Sequence, residues 1–178
     1  MVLYVDQEIE LHQLQSSDAE DIFHAIDSQR SYLGKWLPFV AVTQSVADSQ
    51  AFVDSVVNAP AENSEPVFTI RKKGVFVGLA GFNRTDTGNQ KTEIGYWLSA
   101  TWQKQGIMTK TVRRLCDYAF NELKMNRIQI KCAVGNTASH LIPLRLGFTF
   151  EGIERQGELL TGNVFVDLVV YSRLKSDP

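Results

Sequence analysis

Cysteine is scarce: Cys116 and Cys132 are the only two in 178 residues, so neither a disulfide scaffold nor a cysteine-built metal site is expected. Histidine is nearly as rare, and His12 and His24 have no companions at ligand spacing, so no metal is expected at all. No apolar run approaches the roughly 18 to 20 residues that cross a bilayer. The first fifteen residues already carry Asp6, Glu8 and Glu10, without the basic start or continuous apolar stretch of a signal peptide. An excess of one charge is also missing. Eighteen Lys plus Arg against twenty Asp plus Glu leave a net −2, which argues against a nucleic-acid surface. What is present is 44% apolar residues, enough for a real core. The expectation is one soluble, cytosolic domain spanning residues 1–178, with no membrane or nucleic-acid partner.

Periodicity predicts the elements. Ile9 to Leu14 alternates as a first strand, and Ser17 with Glu20 has capping-box spacing ahead of a helix over 18–28. Residues 31–42 read as a short helix or packed loop, and 45–58 as a helix burying Phe52, Val53, Val56 and Val57. Asn58 to Pro66 reads as a loop. Val67–Lys72 and Val75–Asn83 flank Lys73-Gly74, a hairpin signal. Residues 86–90 turn into a strand over 93–98. A strong amphipathic helix follows, with Met108, Val112, Leu115, Cys116, Ala119 and Leu123 on one face. Arg127–Val134 alternates, 136–146 is a short helix stopped by Gly147, and 148–154 and 164–174 are late strands. The fold class is α/β (α+β). One mixed, twisted sheet of about seven strands, flanked by about four helices, is expected.

The chemistry concentrates in residues 93–109, EIGYWLSATWQKQGIMT. A helix start leaves about four backbone N–H groups without intrahelical partners, and these can bind phosphate. Gly106 lacks the Cβ that would keep a phosphate from the backbone. Neither GxxxxGK nor GxGxxG is present. Taken alone, a glycine here fits helix packing as readily as phosphate binding.

The segments EIGYWL (93–98), QKQGIMT (103–109), Asn126-Arg127, Asn136 with Ser139, LGF (146–148) and Glu151-Gly152 resemble the GNAT superfamily of acetyl-CoA-dependent N-acetyltransferases. Within it they look most like the ribosomal-protein N-terminal acetyltransferases. The resemblance implies the acyl-CoA N-acyltransferase fold, with a splayed sheet. It places the pantetheine arm along the backbone of Trp97 and Leu98, and the pyrophosphate on the amides of Gln103, Lys104, Gln105, Gly106, Ile107, Met108 and Thr109. Met108 departs from the small residue usual at its position. Asn136 is implied to bond the pantetheine amides, and Ser139 to lie near the thioester sulfur.

Many superfamily members carry a tyrosine acid on the helix before the GF pair; here that position is Pro143. The resemblance offers Ser139 as a substitute, although Asn136 or Ser139 could instead cap the helix, with Pro143 near its tolerated first turn. For the base it implies Glu158 or Glu93, working through water, because an ordinary carboxylate is too weak to deprotonate ammonium directly. Asp167 is a third carboxylate. Trp36 either lines the acceptor cleft or is buried. His140 reads as a surface residue, Cys116 and Cys132 as packed thiols, and Arg71-Lys72-Lys73 as a solvated turn.

The activity implied is transfer of acetyl from acetyl-CoA to a primary amine, such as the N-terminus of a ribosomal protein, in a ternary complex. The rivals are a small-amine acetyltransferase (polyamine, amino acid or antibiotic) and a CoA-binding module without turnover. A homodimer through the late strands is implied by analogy alone.

Overall fold

The computed structural model describes residues 1–60 and 65–178; the middle of the expected loop 58–66 lies outside the described residues. Eight strands are described: β1 (Val2–Tyr4), β2 (Ile9–Gln13), β3 (Val67–Lys72), β4 (Val75–Asp86), β5 (Lys91–Leu98), β6 (Arg127–Ala133), β7 (Thr149–Leu160) and β8 (Val164–Leu174). The α-helices are α1 (Ala19–Asp27), α2 (Arg30–Leu33), α3 (Phe39–Val42), α4 (Val46–Val57), α5 (Ile107–Asn121) and α6 (Thr137–Arg145). Strands hydrogen-bond in the order β1-β2-β3-β4-β5-β6-β8-β7. The class is the expected mixed α/β sheet. The extra strand is β1, at three residues too short for periodicity to reveal, and the extra helices are the single turns α2 and α3. The chain divides into two compact units, residues 1–81 with 96–107 and residues 82–95 with 108–178; β4 and β5 pass through both.

In the first unit, Ala19, Ile22 and Ile26 of α1 are buried with Leu14, Leu33, Val40, Val53 and Leu79, and Tyr32 and Trp97 pack against this core. Each fully buried aliphatic side chain contributes about 1.5–3 kcal/mol. The expected cap on α1 is displaced: the Asp18 carboxylate, not Ser17 with Glu20, accepts the Gln15 amide at 2.8 Å. Of the four apolar residues expected to be buried on α4, Val53 is fully buried and Val56 packs partly buried against the core, while Phe52 and Val57 are exposed; Ser49, one turn before Val53, is buried instead. The β3–β4 hairpin turns through Lys73 (φ 50°) and Gly74 (φ 79°), the two left-handed residues that a two-residue turn of matching twist requires. Arg71 is not a solvated turn residue. Its guanidinium reaches Asp18 at 2.8 Å and Asp21 at 3.0 Å, tying the start of α1 to β3.

In the second unit, Met108, Val112, Leu115, Cys116 and Ala119 of α5 are buried as their spacing predicts, while Leu123 lies beyond the helix end. Ile128, Ile130 and Cys132 of β6 point into the core; Val134 follows the end of the strand and is exposed. Strand β5 pairs in parallel with β6 only over Lys91–Glu93. Asn136 caps α6, its side chain accepting the Ser139 amide at 3.3 Å. Pro143 sits in the interior of α6, not its first turn, and removes the amide that would bond the Ser139 carbonyl.

Candidate active site

In the first unit, β5 ends at Leu98, where β4 comes close. A Cβ on Gly78 would stand 2.3 Å from the Trp97 carbonyl oxygen, so glycine is the residue that lets the two backbones approach. The Ser99 amide donates to the Val77 carbonyl at 2.8 Å. A 3-10 turn over Ala100–Trp102 follows, and then Lys104 (φ 60°) and Gly106 (φ 74°) both adopt left-handed backbone before α5 begins at Ile107. Left-handed backbone is costly for lysine and persists only where surrounding contacts enforce it. A Cβ on Gly106 would meet no protein atom within 4 Å, so the space over this glycine is open, as close approach of a phosphate requires. Lys72 braces the same turn: its ammonium donates to Gln105 Oε1 at 2.7 Å and lies 5.5 Å from the Trp102 ring centroid.

All three residues expected to move protons, Ser139, Glu158 and Glu93, lie in the second unit. The Ser139 hydroxyl is 3.1 Å from the Cys132 thiol. Glu93 is committed to several partners. Gln129 Nε2 donates to it at 3.2 Å, with Arg84 at 3.6 Å and Lys131 at 4.0 Å, and Lys131 also reaches Glu154 at 2.6 Å. Glu158 is half-buried. Burial pushes its carboxyl above the ordinary glutamate range; the Arg84 charge opposes that shift and the Glu93 charge adds to it. A register shift between Glu154 and Glu158 bulges β7, with Gln156 at φ 50° and its amide donating to Asp167 Oδ1 at 2.8 Å. Asp167 therefore shapes the strand that presents Glu158, as bulges commonly re-aim a side chain.

Comparison with protein families matches residues 8–149 to the acetyltransferase (GNAT) domain. The Bacillus subtilis (strain 168) protein YdaF, provisionally named a ribosomal N-acetyltransferase, is 35% identical over 175 residues, covering 97% of this chain and 94% of its own. The chain belongs to the GNAT acetyltransferase family. Among solved structures, RimL, a ribosomal L7/L12 α-N-protein acetyltransferase in complex with coenzyme A, matches with a TM-score of 0.92 at 25% identity over 98% of both chains. The microcin C7 self-immunity acetyltransferase MccE, in complex with acetyl-CoA and AMP, matches with a TM-score of 0.89 at 30% identity, covering 96% of this chain and 94% of that one. The protein is an acetyl-CoA-dependent N-acetyltransferase, with acetyl-CoA as co-substrate.

Trp36 lies between α2 and α3, half-buried, with the Lys35 ammonium 5.0 Å from its ring centroid; it is not a core tryptophan. His140 is not a surface residue either. Its Nε2 lies 3.1 Å from the Ala133 carbonyl oxygen and its Nδ1 3.2 Å from the Tyr171 hydroxyl. A carbonyl only accepts, so Nε2 carries the proton and, in the neutral ring, Tyr171 donates to Nδ1. No cluster of metal-ligating side chains occurs among the described residues. Arg84, Gln129 and Lys131, the partners of Glu93, belong to none of the sequence motifs. Strand alternation places Arg127, Gln129 and Lys131 on the face of β6 opposite Ile128, Ile130 and Cys132, and β5 pairs Glu93 with Gln129. That polar face was the available signal.

Proposed function

We propose that this GNAT enzyme acetylates the N-terminal α-amine of a protein, a ribosomal protein by the likeness to RimL and YdaF, in the cytoplasm and by direct attack within a ternary complex. Residues 1–178 act together as one acetyltransferase domain. The observation that carries the reading is the coverage of the RimL match. It spans 98% of both chains, and so extends over residues 18–62, the segment expected to decide the acceptor, as well as the residues proposed to bind the cofactor.

The chemistry follows from the residues. The amides from Gln103 to Thr109 hold the pyrophosphate, the backbone of Trp97 and Leu98 pairs with the pantetheine arm, and Asn136 bonds its amides. Holding amine and thioester together supplies ~7 kcal/mol or more of the barrier reduction. The amine nitrogen attacks the acetyl carbonyl carbon, the carbon–sulfur bond breaks, and the leaving thiolate takes a proton from water relayed through the Ser139 hydroxyl. The proton shed by the nitrogen passes through water to Glu158, whose raised affinity for protons suits it to that task. A thiol of pKa ~8.5 leaves readily, so no strong acid is required in place of Pro143.

An α-amine acceptor fits this equipment. Only neutral amine attacks. At pH 7 an α-amine of pKa ~8 is about 10% neutral, whereas a lysine at ~10.4 is less than ~0.1% neutral, a difference of ~3.3 kcal/mol. The test uses two peptides of identical sequence, one with a free N-terminus and no lysine, the other N-blocked with one lysine, read by mass spectrometry. The free N-terminus is expected to react with much the higher kcat/KM. Equal rates, or preference for lysine, reject the reading. The MccE match favours one second reading, an acceptor that carries a nucleotide. Competitive inhibition by AMP against the amine, with neither peptide acetylated, selects it.

A further inference from the structure

We infer that Gln29 and Tyr32 are positioning residues for acetyl-CoA, which set its affinity by holding the backbone of residues 98–103 that leads into the phosphate-binding turn. The inference rests on the proposed placement of the pyrophosphate at residues 103–109.

Gln29 lies two residues beyond the end of α1, and its single side-chain amide answers two helix termini. Its Nε2 donates to the Ala25 carbonyl at 2.7 Å, one of the acceptors a helix leaves without an intrahelical donor at its C-terminus. The same nitrogen donates to Ser99 Oγ at 2.9 Å, and its Oε1 accepts the Ala100 amide at 2.8 Å. Ala100 opens the 3-10 turn whose preceding residue, Ser99, provides no side-chain cap of its own. Gln29 supplies the missing cap from 71 positions away. With two donors and an acceptor all engaged, this amide is held in one orientation.

Tyr32 grips the other end of the same turn. Its hydroxyl accepts from Gln103 Nε2 and stands 3.5 Å from the Leu98 carbonyl oxygen. Burial raises the phenol above its ordinary range, so it stays protonated and able to donate. The Gln103 amide closes the turn onto the Ala100 carbonyl at 3.2 Å. Immediately beyond comes Lys104 at φ 60°. A left-handed lysine relaxes unless its neighbours are fixed, and Gln29 and Tyr32 fix them. When only a fraction of molecules holds the binding shape, apparent affinity falls by that fraction. Loss of either side chain therefore weakens acetyl-CoA binding more than it slows chemistry in the loaded enzyme.

The experiment measures CoA affinity by calorimetry, kcat and both KM values, and thermal melting, for full-length Gln29→Leu, Gln29→Glu, Tyr32→Phe and Gly106→Val. Gln29→Leu is expected to weaken CoA binding about tenfold. KM for acetyl-CoA should rise in step, kcat fall by less, and KM for the amine stay put. Gln29→Glu keeps the acceptor for Ala100 but loses both donors, so an intermediate loss is expected. Tyr32→Phe keeps its ring in the core, removes only the hydroxyl, and decides the matter should Gln29→Leu fail to melt cooperatively. If Gly106→Val weakens CoA binding while Gln29→Leu and Tyr32→Phe bind as the parent does, the positioning role is overturned and the loop placement stands. Should Gly106→Val itself leave affinity unchanged, the loop placement fails and this inference falls with it.

Discussion

The Ser139 hydroxyl and the Cys132 thiol are 3.1 Å apart, where the capped first turn of α6 faces the end of β6. Because the Asn136 side chain does the capping, the Ser139 hydroxyl is not needed for it, which accords with the proposed place of Ser139 beside the reacting sulfur. Ser139→Ala should lower kcat by ~10- to 1,000-fold, the usual span for general acid–base groups, and leave calorimetric CoA affinity within about threefold. Cys132→Ser keeps a small hydrogen-bonding neighbour and should cost less than tenfold. Equal losses in the two variants would mean that the thiol takes part in more than holding the hydroxyl.

Gly106 offers a second check. Its φ of 74° is favoured for glycine and tolerable for asparagine, but strained for a β-branched residue. Gly106→Val should reduce CoA affinity at least tenfold, about 1.4 kcal/mol, while the fold survives because no protein atom blocks the new Cβ. Gly106→Asn adds a side chain without forcing the backbone. Loss in the asparagine variant too assigns the effect to the ligand that must approach there, and a silent asparagine assigns it to backbone strain.

Acid stability should depend on the Arg127–Glu151 pair. Arg127 meets Glu151 at 2.5 Å, and Ser172 Oγ donates to the same carboxylate at 2.7 Å; the Arg127 hydrogen bond chiefly pulls Glu151 down to about 2. A folded-state value below the unfolded one stabilises above the unfolded pKa, and the contribution is lost as pH falls toward about 2. The carboxylate is partly exposed, so solvent screening holds the effect to roughly 1 kcal/mol. Glu151→Gln should lower the urea midpoint at neutral pH, and the gap from the parent protein should close progressively in acid. A gap that persists unchanged in acid would locate the effect in packing instead of charge.

Local periodicity carried much of the fold. The stripe from Met108 to Ala119 and the alternation of Ile128, Ile130 and Cys132 are repeats that burial on one face imposes on neighbouring residues. Such repeats say nothing of partners far apart in the chain. Gln29 and Tyr32 meet residues 98–103, and Arg71 meets Asp18 from 53 positions away, through side-chain hydrogen bonds that leave no periodic mark. Phe52 and Val57 show the opposite: apolar residues at helical spacing predict a buried stripe, yet α4 turns Ser49 and Val53 to the core and leaves these two exposed. Glu93 and Glu158 could be named from resemblance, but the charges that distinguish them, Arg84 and Lys131, depend on how strands pair.

Those charges lead to a pH prediction whose sign differs between two variants. Burial raises the Glu158 pKa, Arg84 lowers it and Glu93 raises it. As a proton acceptor Glu158 must be ionised, so kcat should rise with pH through its elevated pKa. Glu93→Gln removes the like charge and should move that limb to lower pH; Arg84→Met removes the favourable charge and should move it to higher pH. The limb from the acceptor's own α-amine, near pH ~8, belongs to the substrate and should stay where it is in kcat/KM. Stability should move with Glu158 in the opposite sense to activity. A carboxyl whose folded pKa is raised contributes stability that is full below the unfolded value and lost as pH climbs through the folded one. Glu158→Gln mimics the protonated form, so it should melt higher than the parent at neutral pH while turning over ~10- to 1,000-fold more slowly. Activity lost together with stability would mark Glu158 as a structural residue. Limbs moved the same way by Glu93→Gln and Arg84→Met would show that a different group accepts the proton.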